Sequence, residues 1–284
     1  YLGHGLEPAQ LWAGNGSNEV LQHVLQAFGG PGRSLLSFTP TYSMYPLLAQ
    51  GVGMRWVPVP RAADFTISPD AVRAAIAEHD PDVVFLCSPN NPTGTAIGLD
   101  VVEAAAEAAR GIVLVDEAYA EFAHDRSQTA LSLLDRYPRL LVSRTMSKAF
   151  AFAGIRVGYL AAHPAVVDAL RLVRLPYHLS AITQAAAVAA LRHSDEMLSR
   201  VDELRTQRDR IVDELTAMGF EPYPSDANFV LVGGVADPQA TFRALLDRGI
   251  LVRDVGLPHT LRITAGTRAE TSALLAAMAE LGAE

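Results

Sequence analysis

Lysine is almost absent from this 284-residue chain: of its 23 basic residues, 22 are arginine and one is Lys148. Arginine serves wherever a solvated positive charge suffices, so the single lysine points to a task the guanidinium cannot perform. Amine nucleophilicity is such a task, because Arg stays protonated and Lys need not. Cysteine is equally scarce. Cys87 alone excludes a disulfide framework and any Cys-based metal cluster, and it fits a reducing compartment. Basic charge is in deficit, with 31 acids giving a net −8, which argues against a nucleic-acid or anionic-membrane partner. The longest uncharged stretch, 34–54, is broken by Pro40 and Pro46 and dotted with Ser, Thr and Gln, so it is no membrane span. No signal-peptide pattern opens the chain, which begins at Tyr1 without an initiator Met. A soluble, cytoplasmic enzyme is the expectation. Asparagine is also rare, and four of its five copies fall in two short turn-like motifs.

What the chain does have is core. Half of it is hydrophobic and 19% charged, enough for one large domain and a smaller one. From 34 to 160, short β-rich apolar runs alternate with helix-like stretches. Candidate strands are 34–38, 53–59, 83–87, 112–115, 140–143 and 157–161, and candidate helices include 68–78 and 99–109. That alternation predicts an α/β fold around a mostly parallel sheet. Continuous runs such as Val83-Val84-Phe85-Leu86 fit strands buried on both faces. After Pro176 the pattern changes. Residues 181–218 read as one or two long helices, then a strand at 228–232, a helix at 238–248, strands near 250–252 and 261–264, and a closing helix at 268–281. The expected division is a large domain over 1–180, a connecting long helix over 181–215 and a small α+β domain over 216–284.

Four motifs sit at strand ends. In Gly14-Asn15-Gly16-Ser17-Asn18-Glu19 the glycines permit a sharp turn, and Ser17 or Asn18 is expected to cap a helix whose N-terminus suits an anion. Ser88-Pro89-Asn90-Asn91-Pro92-Thr93-Gly94 stops a strand at its carboxyl end, where open α/β folds place ligands. Val115-Asp116-Glu117-Ala118-Tyr119 puts an acid at a desolvated strand end, where it needs a cationic or donor partner. An Asp-Glu pair also suits a metal, but His124 is the only nearby histidine and hard-metal sites usually collect more carboxylates, so no metal is expected. Ser143-Arg144-Thr145-Met146-Ser147-Lys148-Ala149-Phe150, followed by Gly154-Ile155-Arg156, joins three hydroxyls, an arginine and the sole lysine. Together these supply an anion site, a buried acid, an amide and phenol pair and a unique amine. Pyridoxal 5′-phosphate, a phosphorylated aromatic aldehyde that forms a Schiff base with lysine, needs that set.

These same motifs carry a family resemblance. PNNPTG, DEAY, SKAFAFAGIR and LRIT resemble the fold-type I aminotransferases, most closely the histidinol-phosphate aminotransferase branch, from about Tyr1 to the C-terminus. The resemblance implies a three-layer large domain and a smaller α+β C-terminal domain. It implies that Lys148 holds the cofactor aldehyde, that Asp116 pairs with the pyridine nitrogen, and that Asn91 and Tyr119 bond the phenolate oxygen. Gly16, Ser17, Asn18, Ser147 and Arg156, with Thr145, resemble the phosphate cradle, and Tyr42 sits where the family stacks an aromatic on the ring. Arg262 resembles the arginine that grips a substrate carboxylate, and Arg253, in an I-L-x-R-D context, the one that contacts the substrate phosphate.

The activity so implied is transamination between histidinol phosphate and 2-oxoglutarate, giving imidazole acetol phosphate and glutamate, in histidine biosynthesis. An aromatic amino-acid aminotransferase and a threonine-phosphate decarboxylase share every cofactor residue named. The partners expected are an amino donor, a 2-oxo acid and a second copy of the chain in a homodimer. Family members also carry an N-terminal segment with tyrosines that reach the neighbouring subunit's site, which this sequence lacks. A DNA-binding regulator is excluded by the missing basic module. A Rossmann nucleotide site fails because Glu19 stands where its third glycine belongs.

Overall fold

The computed structural model describes residues 4–282. In chain order the first two-thirds forms β1 (Leu11–Gly14), α1 (Ser17–Phe28), β2 (Ser34–Thr39), α2 (Met44–Gly51), β3 (Arg55–Pro60), α3 (Pro69–His79), β4 (Val83–Cys87), α4 (Leu99–Ala108), β5 (Ile112–Asp116), β6 (Leu140–Thr145), β7 (Gly158–Ala161) and α5 (Pro164–Val173). Seven strands make one sheet in the order β1-β7-β6-β5-β4-β2-β3, in which β7 alone runs antiparallel to its neighbours.

Strand periodicity of two turns the unbroken apolar runs into two buried faces. Val84, Leu86, Val113, Val115, Leu140 and Val142 pack against Val72, Ile76, Val101 and Val102 of α3 and α4. The alternate residues Phe85, Leu114 and Leu141 pack against α1, α2 and α5 through Leu21, Val24, Tyr45, Ala49 and Val167. The expected three layers are therefore present, and the same parity decides where the polar strand ends point. Asp116 and Ser143 fall on the α1–α2–α5 face, side by side in register, with Cys87 on the other flank of Asp116.

Four of the strands and helices escaped the sequence reading: β1, α2, α5 and β8 (Glu221–Pro222). β1 is a four-residue edge strand, too short for a periodic signal. α2 hides in the uncharged stretch because Pro46 suggests a break, yet as the third helical residue it lacks only a donor that the first turn leaves free.

The rest of the chain forms α6 (Ala181–Arg192), α7 (Ser194–Ala217), β8 (Glu221–Pro222), β9 (Phe229–Gly233), α8 (Pro238–Asp247), β10 (Leu261–Thr264) and α9 (Arg268–Gly282). The expected long connecting helix is thus two helices, separated at His193. α7 buries Val201, Arg208, Ile211 and Leu215 along one stripe. The antiparallel sheet β10-β9-β8 packs on α7, α8 and α9 through Val230, Val232, Ile263, Leu274 and Met278. The strand expected near 250–252 is absent. Only Arg253 pairs, in a single reciprocal bridge with Arg262, while Leu251 is exposed.

The two sheets meet at the Pro92-Thr93-Gly94 turn. Gly94 has φ +80°, and a Cβ there would stand 2.3 Å from Ser225 Oγ. The Asp226 N–H donates to Gly94 O at 2.8 Å, and Phe65 packs on Tyr223 with centroids 4.8 Å apart.

Candidate active site

A cavity of about 530 Å³ opens at the carboxyl ends of β4, β5 and β6, between the two sheets. It is lined by every residue to which the resemblance gives a cofactor or substrate role except Gly16, which borders it through Arg156.

One wall is the N-terminus of α1. The capping position is Gly16, at φ +79°, and no side chain caps the helix; the expected cap by Ser17 or Asn18 does not form. Ser17 is instead the first helical residue, so the turn keeps its N–H groups open toward the cavity. A Cβ on Gly16 would stand 2.5 Å from Arg156 Nη2, so only glycine lets the guanidinium reach the turn. Arg156 itself holds φ +62°, an uncommon conformation for a side-chain-bearing residue, and donates to Asn15 O at 3.2 Å and Ala153 O at 3.1 Å. Thr145 Oγ1 accepts the Ser147 N–H at 3.1 Å, which folds the lysine-bearing turn over the same wall. Tyr42 joins it by donating to Asn18 Oδ1 at 3.2 Å.

Asp116 forms the floor. Its Oδ2 accepts from Tyr45 Oη at 3.0 Å and its Oδ1 from Ser143 Oγ at 3.0 Å. Burial nevertheless pushes its pKa up, with the two hydroxyl donors opposing. Lys148 stands over the cavity, its Nζ 5.6 Å from the Tyr119 ring centroid. Its pKa is lowered, first by burial and then by Arg262, Arg156 and Arg253, which favours the neutral amine. Burial likewise keeps the Tyr119 phenol protonated.

The opposite wall comes from the second sheet. Arg262 Nη1 donates to Asn91 Oδ1 at 2.6 Å and its guanidinium lies 4.7 Å over the Phe229 ring. Its Nε is buried with no partner among the described residues. Arg253 and Arg262 exchange both backbone hydrogen bonds, at 3.0 and 2.8 Å, so their side chains leave one face together and both line the cavity. Like charges on directly opposite positions repel, so this pair favours an anion between them. Each Arg thus calls for a negatively charged ligand.

The two adjacent asparagines divide. Asn90 is fully buried and ties loops together, donating to Pro40 O and Thr93 Oγ1 and accepting from Thr41 Oγ1. Only Asn91 reaches the cavity. Asp116 and Glu117 divide too. Glu117 turns away and accepts from Arg144 Nη2 at 2.7 Å, Thr129 Oγ1 at 2.7 Å and the Ala130 N–H at 2.7 Å. Among the described residues no three His, Cys, Asp or Glu side chains gather as a metal site. Sequence reasoning missed Tyr45, which reaches Asp116 from a separate helix. It grouped Ser143 with the hydroxyls of an anion cradle, whereas Ser143 donates to Asp116 from the strand beside β5.

The sequence profile described as aminotransferase class I and II matches residues 2–278. The chain belongs to the class I and II aminotransferase family. Within that family it is 62% identical to the histidinol-phosphate aminotransferase of Thermobifida fusca, over 95% of this chain and 74% of that one. It is 58% identical to the enzyme of that name from Paenarthrobacter aurescens, over 99% and 76%. Among solved structures, the histidinol-phosphate aminotransferase of Sinorhizobium meliloti in complex with pyridoxal-5′-phosphate superposes with a TM-score of 0.88 at 30% identity, over 99% of this chain and 78% of that one. The aminotransferase fold read from the motifs is the fold of this chain.

Proposed function

We infer that this chain is a pyridoxal-phosphate-dependent aminotransferase that moves the amino group of histidinol phosphate to 2-oxoglutarate, a step of histidine biosynthesis. The observation that carries the reading is the sole lysine set over a buried carboxyl, in a cavity walled by an open helix N-terminus and three arginines. The residues fit the cofactor. Among the described residues Asp116 is buried without a cation and Arg262 Nε has no partner, and Gly16 leaves room in the cradle that a Cβ would fill.

Pyridoxal phosphate, when bound, supplies an electron sink for the carbanion formed at the substrate α carbon. Asp116 would pair with the ring nitrogen and keep it protonated. Gly16, Ser17, Asn18, Thr145, Ser147 and Arg156 hold the phosphate, Tyr42 covers a ring face, and Asn91 and Tyr119 bond the phenolate oxygen. Lys148 would hold the cofactor through its aldehyde, and its amine is placed to move a proton at the substrate α carbon, a task its lowered pKa suits. Arg262 reads the carboxylate of glutamate and 2-oxoglutarate, and Arg253 the phosphate of histidinol phosphate. Their shared face supports one pocket serving both half-reactions. Turnover of histidinol phosphate, phenylalanine and threonine phosphate, side by side with 2-oxoglutarate, tests the assignment. A chain that prefers either of the last two refutes it.

The same reading takes 1–180 as the cofactor domain, 181–215 as the connecting helices and 216–284 as the small domain; residues 1–3 and 283–284 lie outside the described residues. It also makes the working unit a cytoplasmic homodimer. Leu172, Leu175, Tyr177 and Ile182 are 76–96% exposed on the segment running from α5 into α6. That segment is tied to the cradle, since Asn15 Nδ2 donates to His178 O at 2.7 Å. Such an apolar surface beside a site supports a second copy as its cover. Light scattering that finds a fully active monomer contradicts this. No described helix is long and apolar enough to cross a membrane.

A further inference from the structure

We propose that Tyr45 is a positioning residue that, with Ser143, keeps the Asp116 carboxylate charged and aimed into the cavity before any cation arrives. The inference rests on the reading of Asp116 as partner of the cofactor nitrogen. Each oxygen of Asp116 accepts one hydroxyl: Tyr45 on Oδ2 and Ser143 on Oδ1, both at 3.0 Å. A hydroxyl that donates to a carboxylate stabilises the ionised form, whereas burial alone favours the neutral acid. Those two tendencies oppose each other at Asp116, with burial the larger.

The donors are held firmly. Tyr45 is fully buried, its ring edge-on to Phe85 with centroids 5.2 Å apart, and burial keeps its own phenol protonated and able to donate. Ser143 is buried on β6 in register with Asp116. Tyr45 also donates its N–H to Tyr42 O at 3.1 Å, and the two rings meet edge to face at 5.6 Å. One turn of chain therefore sets both the aromatic face over the ring site and the donor beneath its acid. A tyrosine that merely filled the core would need some partner for its hydroxyl, but not this carboxylate.

The test compares binding of pyridoxal phosphate with that of its analogue carrying C–H in place of the ring nitrogen, titrated by fluorescence into the cofactor-free chain. The wild type binds pyridoxal phosphate more tightly, because only the nitrogen can pair with Asp116, and Asp116→Asn abolishes the preference. Tyr45→Phe, which keeps the ring packing, is expected to shrink the preference roughly 10-fold while hardly changing affinity for the analogue. The carboxyl-carbon NMR signal of Asp116 should titrate at higher pH in the same variant. Ser143→Ala carries the identical test should Tyr45→Phe fail to fold. An undiminished preference in both variants overturns the proposal while leaving the role of Asp116 intact. A wild type that binds both compounds equally overturns the proposal together with that role.

Discussion

Replacing Arg144 by methionine should destabilise this protein more than any change within the cavity, because it removes the guanidinium shared by two buried carboxylates. Arg144, Glu117 and Glu121 have side chains only 3%, 4% and 1% exposed. Arg144 Nε and Nη2 both donate to Glu117 Oε2, at 3.0 and 2.7 Å, and Nη1 reaches Glu121 Oε1 at 3.4 Å. Removing one partner of a buried pair typically costs about 3–5 kcal/mol, since the surviving charge keeps its desolvation penalty and loses its attraction. With two acids left behind, the upper part of that range applies. For a chain of this size about 2–4 °C of melting temperature accompanies each kcal/mol, so a fall of about 10 °C or more is expected in calorimetry. Adding Glu117→Gln should recover part of the loss, as coupled neighbours do not add. A loss below about 1 kcal/mol, or a further loss on adding Glu117→Gln, would refute the reasoning and reopen a ligand role for Glu117.

Four other outcomes follow from the site. Borohydride reduction of the loaded protein should fix the cofactor mass to the peptide containing Lys148, the one lysine available; label confined to the N-terminal amine counts against the assignment. Asp116→Asn should retain cofactor yet lose about 3 kcal/mol of transition-state stabilisation, roughly two orders of magnitude in turnover. Because the folded-state pKa of Asp116 is raised, its contribution to stability is present at acid pH and lost as pH rises through that pKa. The cofactor-free Asn variant should therefore outlast the cofactor-free wild type at neutral pH, with the gap closing on acidification, which pH-dependent melting checks. Arg253→Ala should lower kcat/KM for histidinol phosphate by about 2–4 kcal/mol while sparing phenylalanine; an unchanged ratio removes Arg253 as phosphate reader.

The parallel strands were legible because burial on both faces leaves unbroken apolar runs, as in Val83–Cys87 and Ile112–Asp116. The cavity residues were legible because motifs cluster at the ends of those strands. What could not be read was pairing across distance. Tyr45 meets Asp116 from 71 residues away, and nothing local marks either as the other's partner. The opposite fates of Asp116 and Glu117 depend on which face of the sheet each leaves. The supposed strand near Arg253 looked plausible from its apolar residues, yet ladder formation needs a partner segment, and only Arg262 supplies one bond pair. The cap of α1 was misassigned because Ser and Asn are good caps in isolation, whereas the φ of +79° at that position needs Gly16.

The contact between Gly94 and Ser225 makes the Pro-Thr-Gly turn a gauge for the distance between the halves of the site. Asn91, three residues before Gly94, touches both Arg262 and the cavity, so the spacing set at the turn is passed directly to Arg262. A methyl group at Gly94 would have to displace Ser225, whose hydroxyl is itself spent on Phe229 O at the start of β9. Wedging that seam open moves Arg262 relative to Lys148 without altering either residue. Substrates of different length impose the same demand from the other side. Variants selected for longer or shorter donors should therefore accumulate at 93–94 and 223–226, outside the lining of the cavity.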